Sequence, residues 1–302
     1  MKKARIIYIP TAGRELFKKE MAMVLERLEI IGYEASAHAT TSEGDATKAA
    51  HLAVKNRFDL VIAVGGDGTI NEVINGIAGE EDRPKLGIIP AGTTNDFAKA
   101  LNIPRDIKKA VDIIIAGHTK LLDIGKVNDQ YFMNIAGGGE LTEISYEVPS
   151  KLKTMIGQLA YYMKGLEMLP FIKPTQTKIE YDGTVINEEI MLFLVANTNS
   201  VGGFEKLAPN ANFDDGYFDL LILKKTNLAE FIRIASLALR GAHLEDKNVI
   251  YVKAKHIIVT PEAKMQLNID GEFGGMLPGE FINFRQHIEF LVPEGFNEKK
   301  DS

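Results

Sequence analysis

Two spacings of apolar residues alternate along the first 116 residues of the chain. An uninterrupted apolar run at 60–64 predicts a short strand that is buried on both faces of a parallel sheet, and residues 86–90 predict another short strand. Apolar residues at helical spacing follow the first run and predict an amphipathic helix. The other elements predicted here are strands at 4–9 and 34–39, a helix that ends at Gly32, and a helix from about Ser42 to Asn56 with Thr41 or Ser42 as its N-cap. This alternation predicts a doubly wound α/β domain.

The pattern changes near Leu121. Strand-like runs at 122–127 and 131–135 flank an Asn128-Asp129 turn, and Asp182-Gly183 is a strong hairpin signal. The remaining predicted elements are a helix at 150–168, a helix from Leu228 to Leu239, and strands at 178–181, 185–189, 191–197, 217–223, 249–259, 265–269 and 281–292. We therefore expect a doubly wound α/β domain over 1–122 and a mainly antiparallel β domain over 123–296. The alternative for the C-terminal segment of the second domain is that it packs back on the first domain.

The composition excludes several classes of protein. The 302 residues include no cysteine, so disulfides and thiolate chemistry are excluded. The N-terminus is broken too early by polar residues for a signal peptide, and no apolar run approaches the roughly 20 residues of a membrane span. We therefore expect a soluble, cytoplasmic protein. A net charge of −6 argues against general nucleic-acid binding, so no nucleic-acid partner is expected.

A glycine-rich segment, Gly65-Gly66-Asp67-Gly68-Thr69, joins the first buried run to a helix. Glycines let main-chain N–H groups approach a ligand, and a helix start favours an anion, so the segment is a candidate phosphate site. Asp67 would repel phosphate unless Mg²⁺ lay between them. The segment matches neither a P-loop nor Gly-x-Gly-x-x-Gly, and a strand, glycine loop and helix also occur as an ordinary α/β connection.

A second polar turn, Ala91-Gly92-Thr93-Thr94-Asn95, follows the next apolar run. Thr94 or Asn95 is a suitable N-cap for a helix that continues through Leu101. The carboxyl ends of neighbouring parallel strands meet at one edge of the sheet, where α/β proteins bind ligands. The alternative is a pair of ordinary capped helices without a ligand.

Several motifs in a fixed order resemble the diacylglycerol kinase catalytic domain, which also occurs in sphingosine and ceramide kinases and in bacterial lipid kinases. The motifs are 65–69 with Asn71 and Glu72, 92–98, Leu207-Ala208-Pro209 with Asp214-Asp215-Gly216, and Ile269-Asp270-Gly271-Glu272. They span nearly the whole chain, and the branch they resemble most is the soluble Gram-positive type. Together they are specific for the family but not for the lipid.

The resemblance implies a lipid kinase that uses ATP and Mg²⁺ and converts diacylglycerol to phosphatidic acid. Mg²⁺ would be held near Asp67. The nucleotide would be bound by Pro10, Thr11, Ala12, Gly13, Thr40, Gly65, Gly66, Gly68, Thr69, Glu72, Thr93 and Asn95. The chain departs from its relatives at Ile9, where they usually carry Asn, and at Ala12, where Ser is common. These departures put two polar contacts to the nucleotide in question.

The resemblance also assigns the acid–base chemistry. Asp270 or Glu272 would accept the proton of the lipid hydroxyl, although the Asp-Gly-Glu run alone reads as a hairpin turn. Asp123, at the predicted domain junction, is a candidate link through water between the metal at Asp67 and this base, in an active site between the domains. The alternative for Asp123 is an ordinary residue beside a strand.

A second Mg²⁺, with a structural role, is implied at the carboxylate-rich turn 212–217. Asp215 would supply its carboxylate, and the main chain near Asn212 and Tyr217 would supply carbonyl oxygens. Hard oxygen ligands of this kind suit Mg²⁺. The alternative is a turn without a metal.

Diacylglycerol lies in a membrane, so the resemblance requires a surface that reaches it. Arg14 and Lys99 lie beside the candidate phosphate loops, and Lys164 lies on the predicted helix at 150–168. We expect transient peripheral membrane contact through these three cations, the alternative being a solvated charged face. The sequence leaves open another lipid alcohol, a soluble substrate as in the NAD kinases, a non-enzymatic lipid carrier, and a homodimer.

Overall fold

The computed structural model describes residues 1–10, 16–139, 173–199 and 207–296. The chain divides into two compact units, one made of residues 1–122 with those from 286 onwards, the other of residues 123–285. The helix predicted at 150–168 lies outside the described residues. Within them, no helix is both long enough and apolar enough to cross a membrane.

The first unit alternates strands and helices as the sequence predicts. Its elements are β1 (Lys2–Tyr8), α1 (Leu16–Ile30), β2 (Tyr33–Ala39), α2 (Asp45–Lys55), β3 (Leu60–Gly65), α3 (Asp67–Ile77), β4 (Lys85–Pro90), α4 (Asp96–Ala100) and α5 (Ile107–Ala116). The strands form a parallel sheet in the order β4–β3–β1–β2. Every residue of β3 is buried, because it lies between two strands and beneath helices. The ends of β3 and β4 therefore carry their loops to the same edge.

The last strand, β15 (Gly279–Leu291), completes this sheet with its C-terminal part, where Phe290 lies beside Leu86 of β4. Arg83 Nε donates to His287 O at 2.8 Å, and Thr119 Oγ1 donates to Glu289 Oε1 at 2.6 Å. Residues 286–296 were assigned to the second domain, with the alternative that they pack back on the first. These contacts join the segment to the first unit, in agreement with that alternative.

The second unit is mainly antiparallel, as predicted. Its elements are β5 (Thr119–Val127), β6 (Gln130–Phe132), β7 (Ile135–Gly138), β8 (Thr175–Tyr181), β9 (Thr184–Ala196), β10 (Phe218–Lys224), α6 (Leu228–Ala238), a short 3₁₀ helix (His243–Glu245), β11 (Val249–Ala254), β12 (His256–Pro261), β13 (Gln266–Ile269) and β14 (Glu272–Met276). β5 begins in the first unit, and the N-terminal part of β15 pairs with β12 here. Phe132, Phe193, Phe218 and Phe281 are fully buried in the core.

Three local predictions are corrected by the structure. Helix α2 begins at Asp45 after Gly44 in the left-handed region, since Thr41 donates to the Asp45 carboxylate instead of capping the helix. The strand predicted at 249–259 is broken at Lys255, whose N–H donates to the carboxylate of Asp182. The strands predicted at 185–189 and 191–197 form one strand, β9, because no turn residue separates them.

Candidate functional site

The two glycine-containing loops lie against each other at the ends of β3 and β4. A Cβ added at Gly92 would lie 2.4 Å from Gly66 Cα, so this close approach requires glycine. Asn95 occupies the N-cap position of α4 as predicted, but its side chain does not cap the helix. It fastens the turn instead, since Asn95 Oδ1 accepts from Gly92 N at 2.9 Å and Nδ2 donates to Gly92 O at 2.8 Å.

Asp67 is the first residue of α3, not a free loop residue, and its carboxylate caps the next helix, α4. Oδ2 accepts from Asp96 N at 3.0 Å, and Oδ1 accepts from Phe97 N at 3.1 Å. Burial raises the pKa of Asp67 above its ordinary value, although the two main-chain hydrogen bonds oppose that change. Because burial disfavours the ionised carboxylate of Asp67, a nearby cation would stabilise it.

Asp96 is a second acidic residue of this site, and the sequence analysis did not select it. It is buried, and its charge contributes to the raised pKa of Asp67. Lys99 Nζ lies 3.3 Å from Asp96 Oδ1, so the ammonium predicted to face a membrane also contacts this acid. The available signal was an acid at the start of a helix whose neighbours, such as Phe97, are apolar.

The main chain at Thr93, in the second turn, is held by a hydrogen bond from an arginine. Thr93 is exposed, and its carbonyl oxygen accepts from Arg105 Nη2 at 2.6 Å. The same nitrogen donates to Thr94 O at 2.9 Å. Arg105, which sequence reasoning missed, therefore holds the main chain of this turn from the segment that follows α4.

A cavity of about 370 Å³ in the first unit gathers several predicted nucleotide contacts. Its lining consists of Ile9, Pro10, Thr40, Thr41, Ser42, Glu43, Ala46, Thr69 and Glu72. The hydroxyl of Thr69 is buried and has no hydrogen-bond partner, so it can bond to a ligand oxygen. Glu72 Oε2 accepts from Ala46 N at 3.1 Å and so ties α3 to the start of α2. Gly65, the last residue of β3, packs against Thr69, since an added Cβ would lie 2.3 Å from Thr69 Oγ1, and Gly68 precedes Thr69 in α3.

Three predicted nucleotide contacts, at Thr11, Ala12 and Gly13, lie outside the described residues, as do Arg14 and Lys164. Ile9, the predicted apolar departure from the family pattern, is part of the cavity wall. The wall is therefore apolar at this position.

In the second unit, the carboxylate of Asp270 accepts hydrogen bonds from three main-chain N–H groups. Its Oδ1 accepts from Asn134 N and Ile135 N, each at 2.9 Å, and its Oδ2 accepts from Met133 N at 3.0 Å. Asp270 itself lies in the left-handed region, with φ of 49°. Both carboxylate oxygens thus hold the chain where it enters β7, and the residue's first role is structural.

Glu272 has a different environment, although it lies only two residues further on. It is the first residue of β14, where it pairs with Ile269 across the hairpin, and its side chain is exposed. The two predicted carboxylates therefore differ: Asp270 binds the main chain, whereas Glu272 is accessible to solvent.

Asp123 is buried on β5 and holds a turn of the second unit. Its Oδ2 accepts from Gly216 N at 2.6 Å, and its main-chain N–H donates to Phe213 O at 2.7 Å. The water-mediated link to Asp67 stays a prediction.

The predicted metal turn brings Asp215 and Tyr217 together, since Asp215 Oδ1 accepts from Tyr217 N at 2.9 Å. Asn212 is exposed nearby. The other oxygen of Asp215 accepts from Lys253 Nζ at 2.7 Å, a contact that the sequence did not predict. Among the described residues, no three His, Cys, Asp or Glu side chains are grouped so that they alone could hold a metal.

Comparison with known proteins identifies the family that carries this arrangement. Residues 3–127 match the diacylglycerol kinase catalytic domain, and residues 144–292 match the YegS C-terminal NAD kinase beta sandwich-like domain. The chain is 63% identical to a diacylglycerol kinase of Bacillus subtilis (strain 168) over 302 residues, which is 100% of both chains. The chain belongs to the diacylglycerol kinase family.

Other family members agree with this assignment. A diacylglycerol kinase of Staphylococcus epidermidis is 55% identical over 299 residues, covering 99% of this chain and 95% of the relative. A solved diacylglycerol kinase structure from Bacillus anthracis str. Sterne is similar with a TM-score of 0.78 and 29% identity over 98% of both chains. The predicted family, kinase activity and fold class are thereby confirmed.

We expect Gly92→Ala to raise the KM for ATP by about tenfold or more, because the added methyl group would force the two loops apart and misplace the phosphates. Steady-state kinetics at saturating acceptor measure this change. Gly32→Ala is the control, since Gly32 lies at a φ of 87°, where alanine is strained, but outside both loops. Both variants should lose some stability, and an equal KM in the two would contradict the role assigned to Gly92.

Proposed function

We propose that this protein transfers the γ-phosphate of ATP to the free hydroxyl of diacylglycerol, giving phosphatidic acid. The observation that carries the proposal is the pair of touching glycine loops that surround Asp67. Such loops present main-chain N–H groups and a helix start to a phosphate, and Asp67 adds the negative charge that Mg²⁺ would neutralise. Family membership favours diacylglycerol as the acceptor.

The residues of the first unit fit a nucleotide with Mg²⁺. Mg²⁺ usually binds through one or two carboxylates, the remaining ligands being phosphate oxygens and water. Asp67 and Asp96 would supply the carboxylates, and the buried Thr69 hydroxyl, which has no partner, would bond to a phosphate oxygen. When bound, Mg²⁺ neutralises the charge that develops on the phosphate oxygens.

We assign the general base to Glu272. A base needs a lone pair that can take up the hydroxyl proton. Both oxygens of Asp270 already accept main-chain N–H groups, whereas the Glu272 side chain is exposed. Asp270 would then position the hairpin that carries Glu272.

Incubation with labelled ATP and a panel of acceptors tests the proposal. Mixed micelles would contain diacylglycerol, phosphatidylglycerol or sphingosine, and NAD would be offered in solution. Phosphatidic acid should be the main product. Preferential labelling of another lipid alcohol would replace the substrate assignment, and labelling of NAD alone would place the activity with soluble-substrate kinases.

Membrane contact through Arg14, Lys99 and Lys164 is part of this proposal. Replacing all three by Glu should weaken binding to anionic vesicles, because it removes three positive charges and adds three negative ones. Because Lys99 also contacts Asp96 of the nucleotide site, activity on a water-soluble, short-chain diacylglycerol is measured on the Arg14→Glu/Lys164→Glu variant, which should retain it. The exposed residues Lys55, Lys108 and Lys264, replaced together by Glu, give the same net charge and should leave vesicle binding nearly unchanged. Equal loss of activity on both substrates would instead indicate an active-site role.

A further inference from the structure

The turn that carries Asp215 contains a cation supplied by the chain itself. Lys253 Nζ lies 2.7 Å from Asp215 Oδ2, 3.2 Å from Asn210 O and 3.4 Å from Asp219 Oδ2. An ammonium group has three donors, and these three oxygens surround it. Carboxylate and main-chain carbonyl oxygens are also the ligands that hard divalent cations prefer.

Asp219 makes this group of oxygens more negative than one ammonium can balance. Its side chain is fully buried, and Oδ1 accepts from the Tyr251 hydroxyl. Oδ2 makes no hydrogen bond and is only within ion-pair distance of Lys253. Two carboxylates therefore share a single positive charge, and one buried oxygen lacks a hydrogen-bond donor. A cation with two charges would balance this pair more closely.

We propose that Lys253 and a divalent cation compete for the oxygens of Asp215 and Asp219. Lys253 is then the counter-ion that keeps this turn folded when the metal is absent, and Mg²⁺ must displace it in order to bind. The inference rests on the proposed function, since the family resemblance behind it implies a second, structural Mg²⁺ at this turn. It concerns cation binding, however, and does not depend on which lipid is phosphorylated.

Calorimetric titration of the nucleotide-free protein with Mg²⁺ tests the competition. Without nucleotide the first unit lacks the phosphate oxygens that complete its metal shell, so the titration reports the Asp215 turn. Lys253→Met should bind Mg²⁺ about tenfold or more tightly than the wild type, because one charged hydrogen-bond partner no longer has to be displaced. Its Tm should fall in EDTA and recover when Mg²⁺ is added. Equal affinity in the two proteins would overturn the proposal.

Two further lysine variants distinguish the effect of the Lys253 contact on Mg²⁺ affinity from the effect of net charge. Lys255→Met removes the same charge two residues away, where the ammonium lies over the Tyr217 ring at 4.7 Å and does not contact Asp215. It should leave Mg²⁺ affinity nearly at the wild-type value. An affinity gain equal to that of Lys253→Met would mean that only net charge matters, which overturns the proposal. Lys253→Arg keeps the charge and should also bind Mg²⁺ as the wild type does, and it remains a test if Lys253→Met does not fold.

A double variant locates the site. Asp215→Asn combined with Lys253→Met should lose the gain in affinity and the recovery of Tm, and an unchanged gain would overturn the assignment to this turn. Kinase activity is assayed separately on the wild type. Absence of phosphatidic acid would sink the proposed function while leaving the cation competition standing.

Discussion

Glu272→Gln is expected to lower kcat on diacylglycerol by about 10²–10⁴-fold, the usual contribution of general-base catalysis. Glutamine keeps the size of the side chain and one acceptor oxygen but cannot take up the proton of the lipid hydroxyl. The KM for ATP should stay within a few-fold of the wild type, because nucleotide binding is assigned to the first unit. Steady-state kinetics with labelled ATP, varied against each substrate, measure both parameters.

Asp270→Asn is the matched comparison for Glu272→Gln. The amide places a donor where the carboxylate accepts main-chain N–H groups, so the free energy of unfolding should fall by about 1–3 kcal/mol. Urea denaturation measures this loss. Glu272→Gln should leave stability almost unchanged, since its side chain is exposed. A large fall in kcat for Asp270→Asn with full stability, and none for Glu272→Gln, would reverse the two roles.

Asp67→Asn should lower kinase activity by about 10³-fold or more, because a bound metal supplies several kcal/mol of charge stabilisation in the transition state. The variant should remain folded. Burial raises the pKa of Asp67 in the folded state, so the native protein holds this proton more tightly than the unfolded chain does. Wild-type stability should therefore fall, relative to Asp67→Asn, as the pH rises from the ordinary value of 3.8 through the raised pKa.

Asp67→Ala would be a less informative variant. It removes both acceptors from the N–H groups of Asp96 and Phe97, and the loss of such a cap costs about 0.5–2 kcal/mol. Asp67→Asn keeps one of the two acceptors, so thermal unfolding of the two variants measures the capping role, whereas the activity of Asp67→Asn measures the metal role. If Asp67→Asn retained most of the Mg²⁺-dependent activity, the assignment of Asp67 to the nucleotide site would be wrong.

The elements that the sequence predicted well are those with a local cause. Apolar runs and helical spacing specify β3, α3 and β4, because each depends on residues within a few positions. The approach of the two glycine loops follows, since neighbouring parallel strands end at one edge. Family membership and kinase activity were reached in the same way, from motifs that are contiguous in the chain.

The features that sequence reasoning missed depend on partners far along the chain. The N–H groups that Asp67 caps lie 29 and 30 residues later. Lys253 reaches Asp215 across 38 residues, and Asp182 breaks the strand predicted at 249–259 from 73 residues away. No local pattern encodes such pairs, because a carboxylate in a turn looks the same whether its partner is water, a main-chain N–H or a lysine. The roles of Thr11, Ala12, Gly13, Arg14 and Lys164 stay predictions.

The division of the first unit between both ends of the chain has a consequence for protein synthesis. Residues 1–122 leave the ribosome first, but β4 gains Phe290 beside Leu86 only when the last strand has been made. Until then, β4 has an unpaired edge, and Phe97 lacks the ring of Phe290, 5.3 Å away in the finished protein. The unit that carries the glycine loops is therefore finished last, although its sequence is translated first. A chain that stops before residue 286 would contain every predicted nucleotide contact and still lack the strand that completes their sheet.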